Sequence, residues 1–281
     1  MRFEKWQALG NDYVIIEREQ LPWELNESRI RLICDPHFGI GSDGILLIAP
    51  SEDPQSVANL RIFNPDGSEA ELSGNGAREA ILYLRRNGWT DRETFTIMTQ
   101  AGPVTPVITS DRTCAVEMGR ASTTSADFPS GGADGLGKVT AGGRDWDFQH
   151  VSIGNPQCAI AAGPDIEDLD LPKIGPAIEN SGLFPNRTNV SFFRVSGSRV
   201  RARIFERGVG ETLSSGTGAC GAAVAAFIGG APSPIKVELD GGELLVEISP
   251  ELDVKLTGWA EPIMSGEIAP EFIDALGKLT N

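Results

Sequence analysis

Residues 61–78 read RIFNPDGSEAELSGNGAR, and residues 203–220 read RIFERGVGETLSSGTGAC. Laid over each other without a gap, 142 positions apart, they share Arg61/Arg203, Ile62/Ile204, Phe63/Phe205, Glu69/Glu211, Ser73/Ser215, Gly74/Gly216, Gly76/Gly218 and Ala77/Ala219. That spacing is about half of the 281-residue chain. Chance likeness between two glycine-rich turns does not give eight matches in one gapless window. The chain is therefore read as two homologous halves related by a pseudo-twofold axis. A weaker echo agrees: Gly10-Asn11-Asp12 and Gly154-Asn155-Pro156 each lead into an apolar run.

Outward from the repeat, each half has one grammar. Short β-rich runs come first, YVII at 13–16, ILLI at 45–48 and LRIF at 60–63, then VSFF at 190–193 and ARIF at 202–205, with polar, glycine-bearing turns between them. A glycine-rich turn then opens into a helix, expected over Ala77–Arg86 and Ala219–Ile228. The second helix is small and apolar almost all round, so it should be buried. The first carries Arg78, Glu79, Arg85 and Arg86 and should be partly exposed. Residues 120–144, rich in Gly, Ser and Ala, read as the junction between the halves and an early loop of the second; IKVEL and ELLVEI around Asp240-Gly241-Gly242 read as later strands. The fold class expected is α/β, with many short strands and one central helix per half.

The two junctions, Ser73-Gly74-Asn75-Gly76 and Ser215-Gly216-Thr217-Gly218, are where chemistry is expected. A helix start leaves backbone N–H groups unpaired and carries partial positive charge, and glycines let a carboxylate or phosphate approach that backbone. Taken alone, either junction is a serine capping a buried helix. Two at equal spacing favour a shared anion pocket. Asn11, Asn64, Asn155 and Asn189 lie at strand ends or adjacent turns, and Glu206 and Arg207 follow the strand leading to the second junction. Singly, each is read as a turn residue or a solvated ion pair. Together they suit a zwitterion: carboxylate on the helix starts, ammonium on Glu206, a second carboxylate on Arg207.

Composition excludes much else. Apolar residues make up 40% and charged residues 22%, and 39 acids against 24 bases give a net charge of −15, which repels nucleic-acid backbones and anionic membranes. No apolar run approaches the ~20 residues that span a bilayer, and the opening MRFEKWQALGNDYVII is not read as a signal peptide. Four scattered cysteines without a C-x-x-C pair fit reduced thiols in a cytoplasm, and Cys158 and Cys220 are read as core residues. Two histidines exclude a histidine-rich metal centre. The glycine turns are not a Gly-x-Gly-x-x-Gly fingerprint, which argues against hydride transfer. A purely structural protein is disfavoured because nothing structural is seen to demand close backbone approach at both junctions.

With ALGNDYVII at 8–16, HFGIGSDG at 37–44, RIFNPDGSEAELSGNGAR at 61–78, GNPQ at 154–157, RTNV at 187–190 and ERGVGETLSSGTGAC at 206–220, the chain resembles the diaminopimelate epimerase family, pyridoxal-phosphate-independent amino-acid epimerases, over nearly its whole length. The resemblance implies two similar α/β halves, each a curved mixed sheet around a central helix, with the site in the cleft between them. It implies an N-terminal half of residues 1–118 plus 263–281 and a C-terminal half of 119–262. It also implies a cytoplasmic isomerase without cofactor or metal, converting LL- to meso-diaminopimelate for lysine and peptidoglycan precursors. The partners expected are an amino-acid substrate and at most a second copy of the chain as a homodimer, with no nucleic acid and no membrane.

Residue by residue, the carboxylate grip falls on Gly74, Asn75, Gly216 and Thr217. The distal end of the substrate falls on Asn11, Asn64, Asn155, Asn189 and Arg207, with Glu206 near the α-amino group. The family's two catalytic cysteines align with Ser73 and Ser215, the histidine of its G-N-P-H turn with Gln157, and a glutamine after its H-F-G-motif aspartate with Gly44. A thiol has a pKa of about 8.5, which a helix start lowers further; a serine hydroxyl is a far weaker acid and needs an adjacent base. No histidine or lysine stands at these motifs to supply one. Two functions therefore stand open: an epimerase working with hydroxyls, or a natural or engineered Cys-to-Ser member that binds an amino acid without turnover.

Overall fold

The computed structural model describes residues 1–71 and 73–280. Two compact units make up the chain, Met1–Val116 with Gly258–Asn281, and Glu117–Thr257; the limits expected from the sequence, 118/119 and 262/263, lie a few residues further along.

In the first unit the strands run, side by side, Glu261–Glu267, Arg2–Ala8, Asn11–Glu17, Ile45–Pro50, Ser56–Phe63, Thr96–Thr99, Gly102–Val104. In the second they run Leu136–Ala141, Arg144–Ser152, Pro156–Ala161, Asn189–Ser196, Arg199–Glu206, Ile235–Leu239, Gly242–Ile248. The pairing sense is the same down both series: antiparallel, antiparallel, parallel, antiparallel, parallel, antiparallel. The internal repeat is thus a repeat of topology.

Each parallel pair requires a crossover, and a helix supplies it. In the first unit α1 (Glu27–Cys34) and α2 (Gly74–Arg86) fill the two crossovers; in the second α3 (Leu171–Glu179) and α4 (Gly216–Ile228) do so; α5 (Pro270–Gly277) follows the last strand. Both central helices begin three residues before the expected Ala77 and Ala219. The reason is capping: Ser73 Oγ accepts the Gly76 N–H at 3.1 Å and Ser215 Oγ the Gly218 N–H at 3.2 Å, so the glycine turns are the helices' first turns.

The matched residues have structural work as well. Arg61 pairs with Glu69, Nε at 2.9 Å and Nη2 at 2.8 Å, and Arg203 Nε donates to Glu211 at 3.0 Å, each across the short hairpin that returns the chain to the helix start. The glycines at 76 and 218 also have a packing role, against the expectation that only a ligand demands close approach. A Cβ on Gly218 would lie 2.8 Å from Ile204 Cγ2 and 3.1 Å from Ser215 Oγ; one on Gly76 would lie 3.0 Å from Leu46 Cδ2. Gly218→Ala is therefore expected to cost about 1–3 kcal/mol by overpacking. Gly182→Ala, where no atom lies within 4 Å of the added carbon, should change stability by less than about 0.5 kcal/mol. Denaturant midpoints at constant m-value compare the two.

Helix α4 is buried as expected. Helix α2 is not partly exposed along its length: Arg78 and Glu79 are fully buried, and only the last turn, Arg85 and Arg86, leaves the core. Arg78 donates to Asn75 Oδ1 within the same helix. Burial pushes the Glu79 carboxyl well above the usual carboxylate range, opposed by the Arg78 charge. Residues 120–144 are not all loop. Leu136–Ala141 is a strand, paired to Arg144–Ser152 through a turn at Gly142 and Gly143, both with positive φ. The last segment returns to the first unit, where Glu261–Glu267 pairs with Arg2–Ala8 and Leu276 joins the cluster of Val14, Ile16, Ile45 and Phe63. Among the described residues no helix is long and apolar enough to cross a membrane.

Candidate active site

In the first unit the strand beginning at Asn11 runs beside the start of α2. Asn75 Nδ2 donates to Asn11 Oδ1 at 3.3 Å, and Asn11 Nδ2 donates to Asp43 at 2.9 Å. Asp43 also accepts the Asp12 N–H at 3.0 Å, so the HFGIGSDG loop holds Asn11 in place. Two residues along the strand, on the face Asn11 presents, the Tyr13 hydroxyl donates to Ser73 Oγ at 3.3 Å. Ser73 is half-buried and Tyr13 buried. Asn64 stands apart from this set. Its Nδ2 donates to Ser68 Oγ at 2.9 Å within its own turn, the turn role that asparagine ordinarily plays.

In the second unit the pattern returns. Asn155 Nδ2 donates to Thr217 Oγ1 at 3.2 Å, the counterpart of the Asn11–Asn75 contact, and Gly10 and Gly154 precede both asparagines with φ of 83° and 76°. Those left-handed turns favour glycine. Gln157, fully buried, donates to Asn155 Oδ1 at 2.6 Å; Gly221 on α4 leaves it room, since a Cβ there would lie 2.8 Å from its side chain. Asn189 ties two strands, donating to the Pro156 carbonyl at 3.0 Å and accepting the Arg207 N–H at 2.9 Å. The Arg207 guanidinium donates to the Asn186 carbonyl at 3.2 Å.

The two serines differ in their neighbours. Ser215, 3% exposed, donates its hydroxyl to Glu206 Oε2 at 2.9 Å, while Thr212 donates to Glu206 Oε1 at 2.8 Å. Burial raises the Glu206 carboxyl above its ordinary value, and the two hydroxyl hydrogen bonds partly offset that rise. Glu206 is thus a base adjacent to Ser215, where the sequence reading found none because it looked for histidine or lysine. The hairpin that sets Glu206 opposite Gly210 and Ile204 opposite Thr212 folds the chain back and delivers Ser215 to it. Sequence reasoning also missed Tyr13, Thr212 and Asp43. Tyr13 was findable: it follows Asn11 by two positions in a strand, as Gln157 follows Asn155. Cys158 and Cys220 are buried, and burial holds the Cys158 thiol well above its usual range, as a core residue requires. Among the described residues no three His, Cys, Asp or Glu side chains are grouped to hold a metal ion.

Residues 3–124 and 149–261 match the family model described as diaminopimelate epimerase. The chain is 40% identical over 277 residues to diaminopimelate epimerase 2 of a Nostoc species, covering 96% of each. It is 40% identical over 287 residues to the diaminopimelate epimerase of Desulfovibrio desulfuricans, covering 95% of this chain and 98% of that one. Among solved structures it is similar to a phenazine biosynthesis protein of Bacillus anthracis, with TM-score 0.68 and 18% identity over 96% and 99% of the two chains. It is also similar to a hydroxyproline epimerase of Agrobacterium vitis, with TM-score 0.66 and 14% identity over 96% and 92%. At those identities the structural likeness speaks for the fold.

Proposed function

This chain belongs to the diaminopimelate epimerase family, and from that premise we propose that it inverts an α-carbon of diaminopimelate, LL to meso, in the cytoplasm and without a cofactor. The observation that carries the proposal is the Ser215–Glu206 pair at a glycine-flanked helix start, with the serine cap, though not the carboxylate, repeated at Ser73. Inversion needs a proton taken from one face of the α-carbon and another returned to the opposite face, so it needs two groups at hydrogen-bonding reach. Ser73 and Ser215 fill those roles. Removal of the α-proton leaves negative charge that spreads into the substrate carboxylate, and helix-start N–H groups stabilise it; Gly74, Asn75, Gly216 and Thr217 supply them. Asn11, Asn155, Asn189 and Arg207 address the distal amino-acid head, and Gln157 holds Asn155 in place. Glu206 keeps a second lone pair on each carboxylate oxygen for the α-ammonium while it holds Ser215.

Purified protein incubated with LL-diaminopimelate in deuterated buffer tests this. The expected result is deuterium at the α-position together with the meso isomer. Binding with no exchange would assign the chain to a silent binder, and neither binding nor exchange would remove the substrate assignment.

A further inference from the structure

Glu179 breaks two local rules at once. It is the last residue of α3, where the helix dipole is negative and disfavours an acid. Its side chain is also buried, only 8% exposed, where a charge is costly unless it is paired. Packing does not ask for it, since Leu171, Ile174 and Ile178 supply the core face of α3. What Glu179 holds is the turn that follows the strand Arg199–Glu206. Its Oε1 accepts the Gly208 N–H at 2.8 Å and Arg187 Nη1 at 3.0 Å, which occupies both lone pairs of that oxygen. The neighbouring Arg207 N–H goes to Asn189 Oδ1 at 2.9 Å, and the Val209 N–H returns to the Glu206 carbonyl at 3.1 Å. Three successive N–H groups are thus taken, two of them by side chains from outside the turn.

We propose that Glu179 is a positioning residue of the second unit's site: through Gly208 and Arg187 it fixes the turn on which Glu206 and Arg207 stand. All of these residues belong to Glu117–Thr257. Arg187 shows what the contact sustains. Its φ of 63° is left-handed, a conformation that a residue with a side chain keeps only where its surroundings hold it. The ion pair to Glu179 does so, and the Glu179 carbonyl also receives the Thr188 N–H at 3.3 Å. Glu206 and Arg207 are consecutive, so one turn sets the places of both, but they are not equally anchored. The Glu206 carboxylate is held by Ser215 and Thr212 as well. Among the described residues the Arg207 guanidinium has one anchor, the Asn186 carbonyl at 3.2 Å. Release of the turn should therefore tell first on Arg207, and so on affinity. The clamp rests on geometry alone; its consequence for a ligand rests on the proposed function, in which Arg207 takes the distal head.

Two variants of the full chain test this. Glu179→Leu keeps the size and removes the acceptor, while Glu179→Gln keeps an oxygen for the Gly208 N–H. Calorimetric titration with diaminopimelate, beside a melting curve for each variant, gives the reading. The expected result is a Kd raised about tenfold or more in Glu179→Leu, because a small displacement of a binding group is enough for that, and restored to within about threefold of the parent in Glu179→Gln. A purely structural role predicts a lower melting temperature with Kd unchanged in the folded protein, and that result would overturn the proposal. If the parent chain does not bind diaminopimelate, the substrate assignment fails by itself, and amide hydrogen exchange decides the clamp. The Gly208 N–H is then expected to exchange about tenfold or more faster in Glu179→Leu than in the parent, while amides of α4 keep their rates. Equal rates at Gly208 would dismiss the clamp.

Discussion

Ser73→Cys combined with Ser215→Cys should raise α-proton exchange on diaminopimelate by about a hundredfold or more, the scale on which positioned acid–base groups act. At neutral pH a thiol with a pKa of about 8.5 is already a few per cent thiolate, and the start of a helix increases that share. Both serines sit at such starts, capping α2 and α4. A hydroxyl reaches a comparable reactivity only when a neighbour takes its proton, and Ser215 has Glu206 for that while Ser73 has a donor in Tyr13. The substitution carries a stability cost, because sulfur caps a helix less well than oxygen; about 1 kcal/mol per cap is the expected scale. Exchange measured by mass spectrometry, alongside a melting curve for each variant, separates the two effects. A folded double-cysteine protein with no exchange on diaminopimelate would show that the substrate is another compound.

Glu206→Gln should lower turnover of the parent chain by about 10²- to 10⁴-fold, the usual worth of a positioned base. The amide is close in shape, but its nitrogen donates, so Ser215 would lose the acceptor that orients its proton. The pH dependence has a definite sign. Glu206 must be ionised to take that proton, and burial holds its carboxyl above the ordinary value. Activity of the parent chain should therefore fall as pH drops through a range higher than an ordinary glutamate would set, and Glu206→Gln should show no such limb. An unchanged acid limb in the variant would assign it to another group.

The order of strands could be anticipated only as far as the repeat reaches. Arg61, Phe63, Glu69 and Ser73 recur at 203, 205, 211 and 215 because each unit needs the same strand, ion pair, hairpin and cap, so periodic sequence carried the fold class. Helices α1, α3 and α5 carried no such echo and went unread, as did the strand at 136–141, whose glycine-flanked residues resemble a loop until Arg144–Ser152 pairs with them. The site was legible where a residue type announces chemistry, as at the two serines and the asparagines. It was illegible where an ordinary residue acquires a role from its neighbour. Tyr13 looks like strand filling, and Glu206 looks like the partner of an ammonium and not of a serine; only the chain reversals that bring Ser73 and Ser215 to them disclose the contacts. Arg78 and Glu79 misled for the same reason, since charge predicts exposure unless a helix is enclosed on most sides, as α2 is.

The first unit takes its material from both ends of the polypeptide, because Glu261–Glu267 closes its sheet and Leu276 enters its core. Translation therefore finishes the inner unit before the outer one. Glu117–Thr257 is contiguous and has all its strands once it has left the ribosome, whereas Met1–Val116 must wait, one sheet margin uncovered and one hollow unfilled, for the final residues to emerge. A chain ended after residue 259 and released from the ribosome should thus hold a protease-resistant middle and a digestible beginning.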